Sequence, residues 1–241
     1  MITEENLHFL RAYEIQLLAR YLKPGSYILE IGAGTGFQAK TLSERGFKIA
    51  ALDVAQSSRA ARRVFPVTDY DGLTLPFPDQ TFDIVFTSNV LEHVSSLPVL
   101  LAEMRRVLRP GGYCVHAMPT TTWRLWTSLS GYVDLPFYLF AVLRRILRPD
   151  FRQFARAVAG HVVPRSHGKV HSLLAELWTF SRRYWINKFR QSGFEVIRAE
   201  PMGLFYTGWS VLGTRCSARR RESIARFLGS SCTVYEVKPR M

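Results

Sequence analysis

Tyr27-Ile28-Leu29-Glu30-Ile31, followed at once by Gly32-Ala33-Gly34-Thr35-Gly36, is the stretch on which the reading of the chain turns. Its first five residues are β-rich and stop at glycines, and Phe37 to Arg45 then has helical character, so a strand, a turn and a helix follow one another. Three glycines at the carboxyl end of a first strand let a ligand approach the backbone where a side chain would obstruct it. Phe47 to Leu52 reads as a second strand ending at Asp53, about 20 residues on, where a carboxylate accepts hydrogen bonds from ribose hydroxyls. Together these features describe an α/β site for a nucleoside.

The spacing selects among nucleosides. The dinucleotide fingerprint is GxGxxG, with its third glycine supporting close helix packing; here the pattern is GxGxG and Phe37 stands at the third-glycine position, which disfavours NAD. Glu30 places a negative charge where a pyrophosphate is repelled and the cationic methionyl end of S-adenosylmethionine is favoured.

Outward from this stretch, Gln56 to Arg63 reads as a short helix and Val64 to Thr68 as a brief third strand weakened by Pro66. Phe82 to Thr87 is a fourth strand, Leu97 to Leu108 a helix stopped by Arg109-Pro110-Gly111-Gly112, and Tyr113 to Ala117 a fifth strand. Strands alternating with helices predict a doubly wound α/β fold: a mostly parallel, seven-stranded Rossmann-like sheet with helices on both faces. The order breaks after Pro119; a helix over Trp178 to Ser192, a strand at Phe194 to Ala199, a basic helix at Ala218 to Leu228 and a strand at Thr233 to Val237 complete the chain. One domain over residues 1–241 is expected, with an N-terminal helix (1–25), a cofactor-binding core (26–119), a helical aromatic and basic insertion (120–178) and a C-terminal part finishing the sheet (179–241).

In order along the chain stand Leu29-Glu30-Ile31-Gly32-Ala33-Gly34-Thr35-Gly36, Leu75-Pro76-Phe77-Pro78-Asp79, Phe82-Asp83-Ile84-Val85, Asn89-Val90-Leu91-Glu92-His93-Val94 and Arg106-Val107-Leu108-Arg109-Pro110-Gly111-Gly112. Over Tyr27 to Pro119 the chain resembles the class I, type-11 methyltransferase family. The resemblance implies S-adenosylmethionine as cofactor, with Glu30 and the Gly32, Ala33, Gly34, Gly36 turn meeting its methionyl part and Asp53 its ribose. It also implies that Asp71 and Gly72 meet the adenine edge and that Asn89 lines the floor under the methyl group. The interval between Asp53 and Asp71 is shorter than the family's, which makes Asp69 the substitute on the adenine side.

Methyl transfer is an in-line displacement that needs near-attack geometry and exclusion of water, and a base only for some acceptors. The net charge of +13 leaves nucleic acid, anionic lipid and phosphorylated substrates as partners. Between Thr121 and Arg190 twelve Lys/Arg face three acidic residues, so most of the excess falls beside the expected acceptor side. There His161, His167 and His171 cluster; His167, beside Gly168, is the candidate base, with His93 a second candidate that suits a structural role better, and Glu176 a weaker one. No metal site is expected, because the histidines lack a helical i, i+4 pair with a nearby glutamate.

Trp123, Trp126, Phe137, Tyr138 and Phe140, followed by Arg144, Arg145 and Arg148, suit either a cap over the site or a segment resting on an anionic membrane. The stretch Leu125 to Leu143 is interrupted by Asp134 and Pro136 and is marginal as a span. Leu204 to Trp209 reads as a second wall of the acceptor pocket or as core. The N-terminus lacks a basic patch followed by an apolar run, and Cys114, Cys216 and Cys232 have no CxxC pairing, so a cytoplasmic setting is expected, with possible peripheral contact to a membrane.

The expected function is methyl transfer to a small-molecule or lipid-linked acceptor, at oxygen. The rivals are a nucleic-acid methyltransferase and a non-catalytic S-adenosylmethionine-binding protein. Against the first, the position after the fourth strand reads Thr87-Ser88-Asn89-Val90 instead of Asn/Asp-Pro-Pro-Tyr or a paired-cysteine pattern. Oligomeric state is left open.

Overall fold

The computed structural model describes residues 4–130, 173–207 and 216–240. Seven strands among them form one sheet: β1 (Tyr27–Ile31), β2 (Lys48–Val54), β3 (Thr68–Tyr70), β4 (Phe82–Ser88), β5 (Leu108–Pro119), β6 (Phe194–Pro201) and β7 (Cys232–Pro239), in the order β3-β2-β1-β4-β5-β7-β6. The first five are parallel, and β7 runs antiparallel to both its neighbours, β5 and β6. The helices are α1 (Glu4–Leu18), α2 (Phe37–Glu44), α3 (Leu97–Val107), α4 (residues 121–130), α5 (Leu173–Thr179), α6 (Arg182–Gln191) and α7 (Ala218–Leu228). Among the described residues no helix is long and apolar enough to cross a membrane.

Burial on both faces explains why β1 reads as an apolar run instead of an alternation. Leu29 and Ile31 join Leu101 and Met104 of α3 and Trp185 and Phe189 of α6 on one side, whereas Ile28 joins Ile15 and Leu18 of α1 and Leu42 of α2 on the other. The strand order reverses between β1 and β4, so a crevice opens past their carboxyl ends, where ligands of such sheets bind.

Several boundaries differ from the sequence reading for physical reasons. The third strand lies at Thr68–Tyr70, paired Leu52 to Thr68 and Asp53 to Asp69, while the Val64 amide donates to the Thr35 carbonyl at 2.8 Å and Pro66 has no amide to offer a ladder. The helix expected over 56–63 shrinks to a 3₁₀ turn, Ala60–Arg62, in which no side chain is buried to hold a longer helix. The helix expected over 178–192 is two, because the Ser181 hydroxyl accepts from the Tyr184 amide and caps α6 afresh. The fifth strand runs on to Pro119 because β7 supplies partners that far, pairing Cys232 with Pro119.

Candidate active site

A cleft of about 1190 Å³ lies over the carboxyl ends of β1, β2 and β4. It exceeds the usual volume for one drug-sized ligand, leaving room for a nucleoside cofactor and an acceptor together. Gly32, Gly34, Asp53, Asp71, Gly72, Asn89 and His93 all line it, so the structure brings together seven of the residues singled out from sequence. Ala33 and Gly36 complete the turn behind this wall, with the Gly36 amide donating to the Ala33 carbonyl at 2.8 Å. His167, with His161, His171, Phe137, Tyr138, Phe140, Arg144, Arg145, Arg148 and Trp209, lies outside the described residues.

The turn is built for glycine. Gly32 has φ +76°, and a Cβ there would stand 2.4 Å from Val90 Cγ2, so the β1 and β4 loops close on each other at a point with no space for a side chain. Asn89, at the end of β4, also has positive φ, a conformation asparagine tolerates better than most residues. Its amide donates to the Ala117 carbonyl at 2.8 Å, and its Nδ2 donates to Ser88 Oγ at 3.2 Å.

Glu30 is 2% exposed and does not itself line the cleft; its Oε2 has no hydrogen-bond partner. Burial pushes its carboxyl up to about 8, against the opposing pull of Arg11 and the Ala39 amide. So raised, Glu30 holds a proton near neutral pH, and a cation beyond the glycine turn would favour its ionised form. Asp53 is nearly buried at the end of β2, with Oδ1 accepting from the Val54 amide at 2.9 Å.

Asp71 accepts from the Leu73 and Thr74 amides at 2.8 Å each, and these bonds hold its carboxyl below the usual range. Asp69, the substitute candidate, instead pairs with Arg63 and does not line the cleft. Tyr70 does line it, with its phenol pushed up to about 12 by burial.

The N-terminal helix supplies what sequence reasoning missed. Leu10, Arg11 and Glu14 of α1 line the cleft, and Arg11 Nη1 donates to Glu14 Oε2 at 2.6 Å and to Ser88 Oγ at 3.1 Å. The Tyr206 hydroxyl donates to Glu14 as well, and Cys232 Sγ lies 3.5 Å from both that hydroxyl and Asn89 Oδ1. The signal was present: Glu14 interrupts the apolar i, i+4 stripe Leu10, Glu14, Leu18, all three buried. Arg59 was missed too; its side chain lies over Gly34, within 3.3 Å of where a Cβ would be.

The acceptor side divides. Of the segment Leu204 to Trp209, Leu204 and Phe205 are core, while Tyr206 and Thr207 face the cleft. Arg221, fully buried in α7, holds this wall by donating to the Phe205 and Thr207 carbonyls at 3.1 and 3.2 Å. Trp123, Thr127 and Ser130 of α4 line the opposite side. Glu176 is committed elsewhere, accepting from Arg124 Nε at 2.5 Å in a buried pair that fastens α5 to α4. His93 stands at the cleft with Nε2 3.8 Å from the buried Glu92, whose carboxyl is pushed up to about 7 by burial.

The comparisons agree with this geometry. A family model described as a methyltransferase domain matches residues 29–116. The malonyl-[acyl-carrier protein] O-methyltransferase of Serratia marcescens is 39% identical over 95 residues, 37% of this chain and 36% of that protein. The ubiquinone/menaquinone biosynthesis C-methyltransferase of Cupriavidus metallidurans is 30% identical over 157 residues, 58% of this chain and 63% of its own. The chain thus spans between about a third and under two thirds of the length of these relatives. A S-adenosylmethionine-dependent methyltransferase structure from Aquifex aeolicus superposes with TM-score 0.55 at 15% identity, covering 98% of this chain and 93% of that one, a likeness of fold. Residues 29–116 thus match a methyltransferase domain, and the seven-stranded sheet has the fold seen in S-adenosylmethionine-dependent methyltransferase structures.

Proposed function

We propose that the protein transfers a methyl group from S-adenosylmethionine to a small-molecule or lipid-linked acceptor, at oxygen. The observation that carries this reading is the convergence of the Gly32–Gly36 turn, Asp53 and Asn89 on one cleft that keeps further room beside them. The relatives' names, an acyl-carrier-protein O-methyltransferase and a quinone C-methyltransferase, support an acceptor outside the nucleic acids.

When bound, S-adenosylmethionine supplies an electrophilic methyl group on a sulfonium sulfur. The chain's own residues hold and shield it. The glycine turn would admit the methionyl part to the backbone, and the buried Glu30 beside that turn would serve as countercharge to its ammonium. Arg11, which lines the cleft, would provide a cation for its carboxylate. Asp53 accepts from the ribose hydroxyls and Asp71 with Gly72 borders the adenine. Asn89 lines the floor toward the acceptor, whose proton His93 accepts at the rim.

Calorimetric titration with S-adenosylmethionine and S-adenosylhomocysteine tests the core of this. Micromolar binding is expected, weakened about 10- to 100-fold in Asp53→Ala, which loses charge-assisted hydrogen bonds worth about 1.5–3 kcal/mol. A folded protein that binds neither compound overturns the reading. Binding without a product across a broad acceptor panel makes it a non-catalytic binder.

Glu30 gives a second test. Its raised pKa means that its contribution to stability is present below the ordinary carboxylate range and is lost as pH rises through about 8. A cationic ligand favours the ionised form, so binding S-adenosylmethionine at pH 7 releases close to one proton, and affinity rises with pH toward 8. Titrations in buffers of different ionisation enthalpy measure that proton. Glu30→Gln is expected to release none, and equal release by both proteins rejects the assignment.

A further inference from the structure

Helix α7 distributes its charges unevenly. Arg221 points inward to backbone carbonyls, and Glu222 accepts from the Tyr13 hydroxyl at 2.6 Å, whereas Arg219, Arg220 and Arg226 are exposed. The most exposed positions of this helix therefore carry three guanidinium groups, with the half-exposed Glu222, bonded to Tyr13, at their edge. It ends in Phe227, which is 88% exposed, followed by Leu228.

This end abuts two other exposed apolar surfaces. Trp126 Nε1 donates to the Leu228 carbonyl at 2.9 Å, which ties α7 to α4. On α4, Leu125 and Leu129 share one face at i, i+4 spacing and are about half exposed. Thr121 Oγ1 donates to the Leu177 carbonyl at 2.7 Å, bringing in the end of α5, where Trp178 is 55% exposed. The other side of α4, with Trp123, Thr127 and Ser130, lines the cleft. Apolar side chains and a mainly basic helix face thus adjoin, with α4 between them and the cleft.

We infer that this face docks on an anionic lipid bilayer, with Phe227 and the leucines entering the interfacial layer and Arg219, Arg220 and Arg226 meeting lipid phosphates. The inference rests on the methyltransferase reading and deepens it, since α4 would meet the membrane with one side and line the cleft with the other. Guanidinium groups keep their charge in the headgroup region while neighbouring apolar side chains bury, the arrangement of interfacial helices. A single-stranded RNA would use the arginines and stack on Phe227 or Trp178, but gives Leu125, Leu129 and Leu228 no comparable partner.

Co-sedimentation of the full chain with vesicles of phosphatidylcholine, alone or mixed with phosphatidylglycerol, tests the face. Binding is expected to the mixed vesicles only and to weaken with salt. Each basic residue near an anionic surface contributes about fivefold, so Arg219→Gln/Arg220→Gln/Arg226→Gln should lose on the order of 100-fold. Phe227→Ser should lose about tenfold from its buried area. These positions are exposed, so the variants fold, and calorimetry with S-adenosylmethionine checks that they do. No binding at low salt, binding unchanged in both variants, or binding of an RNA oligonucleotide but not of vesicles overturns the docking face. Wild-type protein that binds S-adenosylmethionine but no vesicle loses only this inference; wild-type protein that binds no S-adenosylmethionine loses the functional reading itself.

Discussion

Gly32→Ala is expected to destabilise the fold by about 2–5 kcal/mol and to weaken S-adenosylmethionine binding on the order of 100-fold. Two costs combine. Holding alanine at φ +76° costs about 1–2 kcal/mol, and the new Cβ, 2.4 Å from Val90 Cγ2, forces a displacement costing about 1–3 kcal/mol more. The displacement is what reaches the cofactor, because it moves the glycine turn against Asn89, the residue next to Val90.

Two companions separate these costs. Gly46 also has positive φ, +86°, but nothing lies within 4 Å of a Cβ placed there, so Gly46→Ala should show the conformational cost alone and leave cofactor affinity unchanged. Gly32→Ala/Val90→Ala opens the space and should recover much of the affinity. Urea denaturation and calorimetry on the set measure both quantities. A double variant no better than Gly32→Ala would show that the close approach to Val90 is not the cause.

Arg124→Met is expected to cost about 3–5 kcal/mol, the largest effect of any change outside the cofactor turn. Arg124 and Glu176 are both nearly or fully buried, 2.5 Å apart, with Arg124 Nη1 also donating to Ser128 Oγ at 2.9 Å. Removing the guanidinium leaves the Glu176 carboxylate in a dry interface without that ion-pair partner, which costs more than the pair contributes. The loss should appear as early release of α4 and α5 from the core, read by hydrogen exchange, while affinity for S-adenosylmethionine stays within about twofold. Arg124→Met/Glu176→Leu removes both charges and should regain most of the stability. If the double variant is as weak as Arg124→Met, packing and not charge explains the loss.

The two halves of the site differed in how far they could be read in advance. The glycine turn, Asp53 and Asn89 each stand at the end of a strand whose apolar run is visible, and the turn chemistry is local, so adjacent residues declare it. Arg11 and Glu14 act on Ser88 and Tyr206, 77 and 192 residues away, and no local pattern states that meeting. Only the misplaced acid in the Leu10 to Leu18 stripe hinted at it. Glu176 looked available for proton transfer as a residue type; the packing of α5 on α4 committed it to Arg124 instead. Asp69 was similarly a plausible ligand until β3 paired two residues further along and Arg63 took its carboxylate.

The sequence by itself determined the doubly wound core, the glycine turn and the acidic residue at the end of β2, because strand burial, turn conformation and a carboxylate at a strand end are properties of neighbouring residues. Only the tertiary structure decided which charges are free to act. Burial left Glu30 half-satisfied, paired Arg124 with Glu176, turned Arg221 inward and left Arg219, Arg220 and Arg226 outside. The physical reason is that the behaviour of a charge is set by its desolvation and its partner, and both are created when distant segments close on one another.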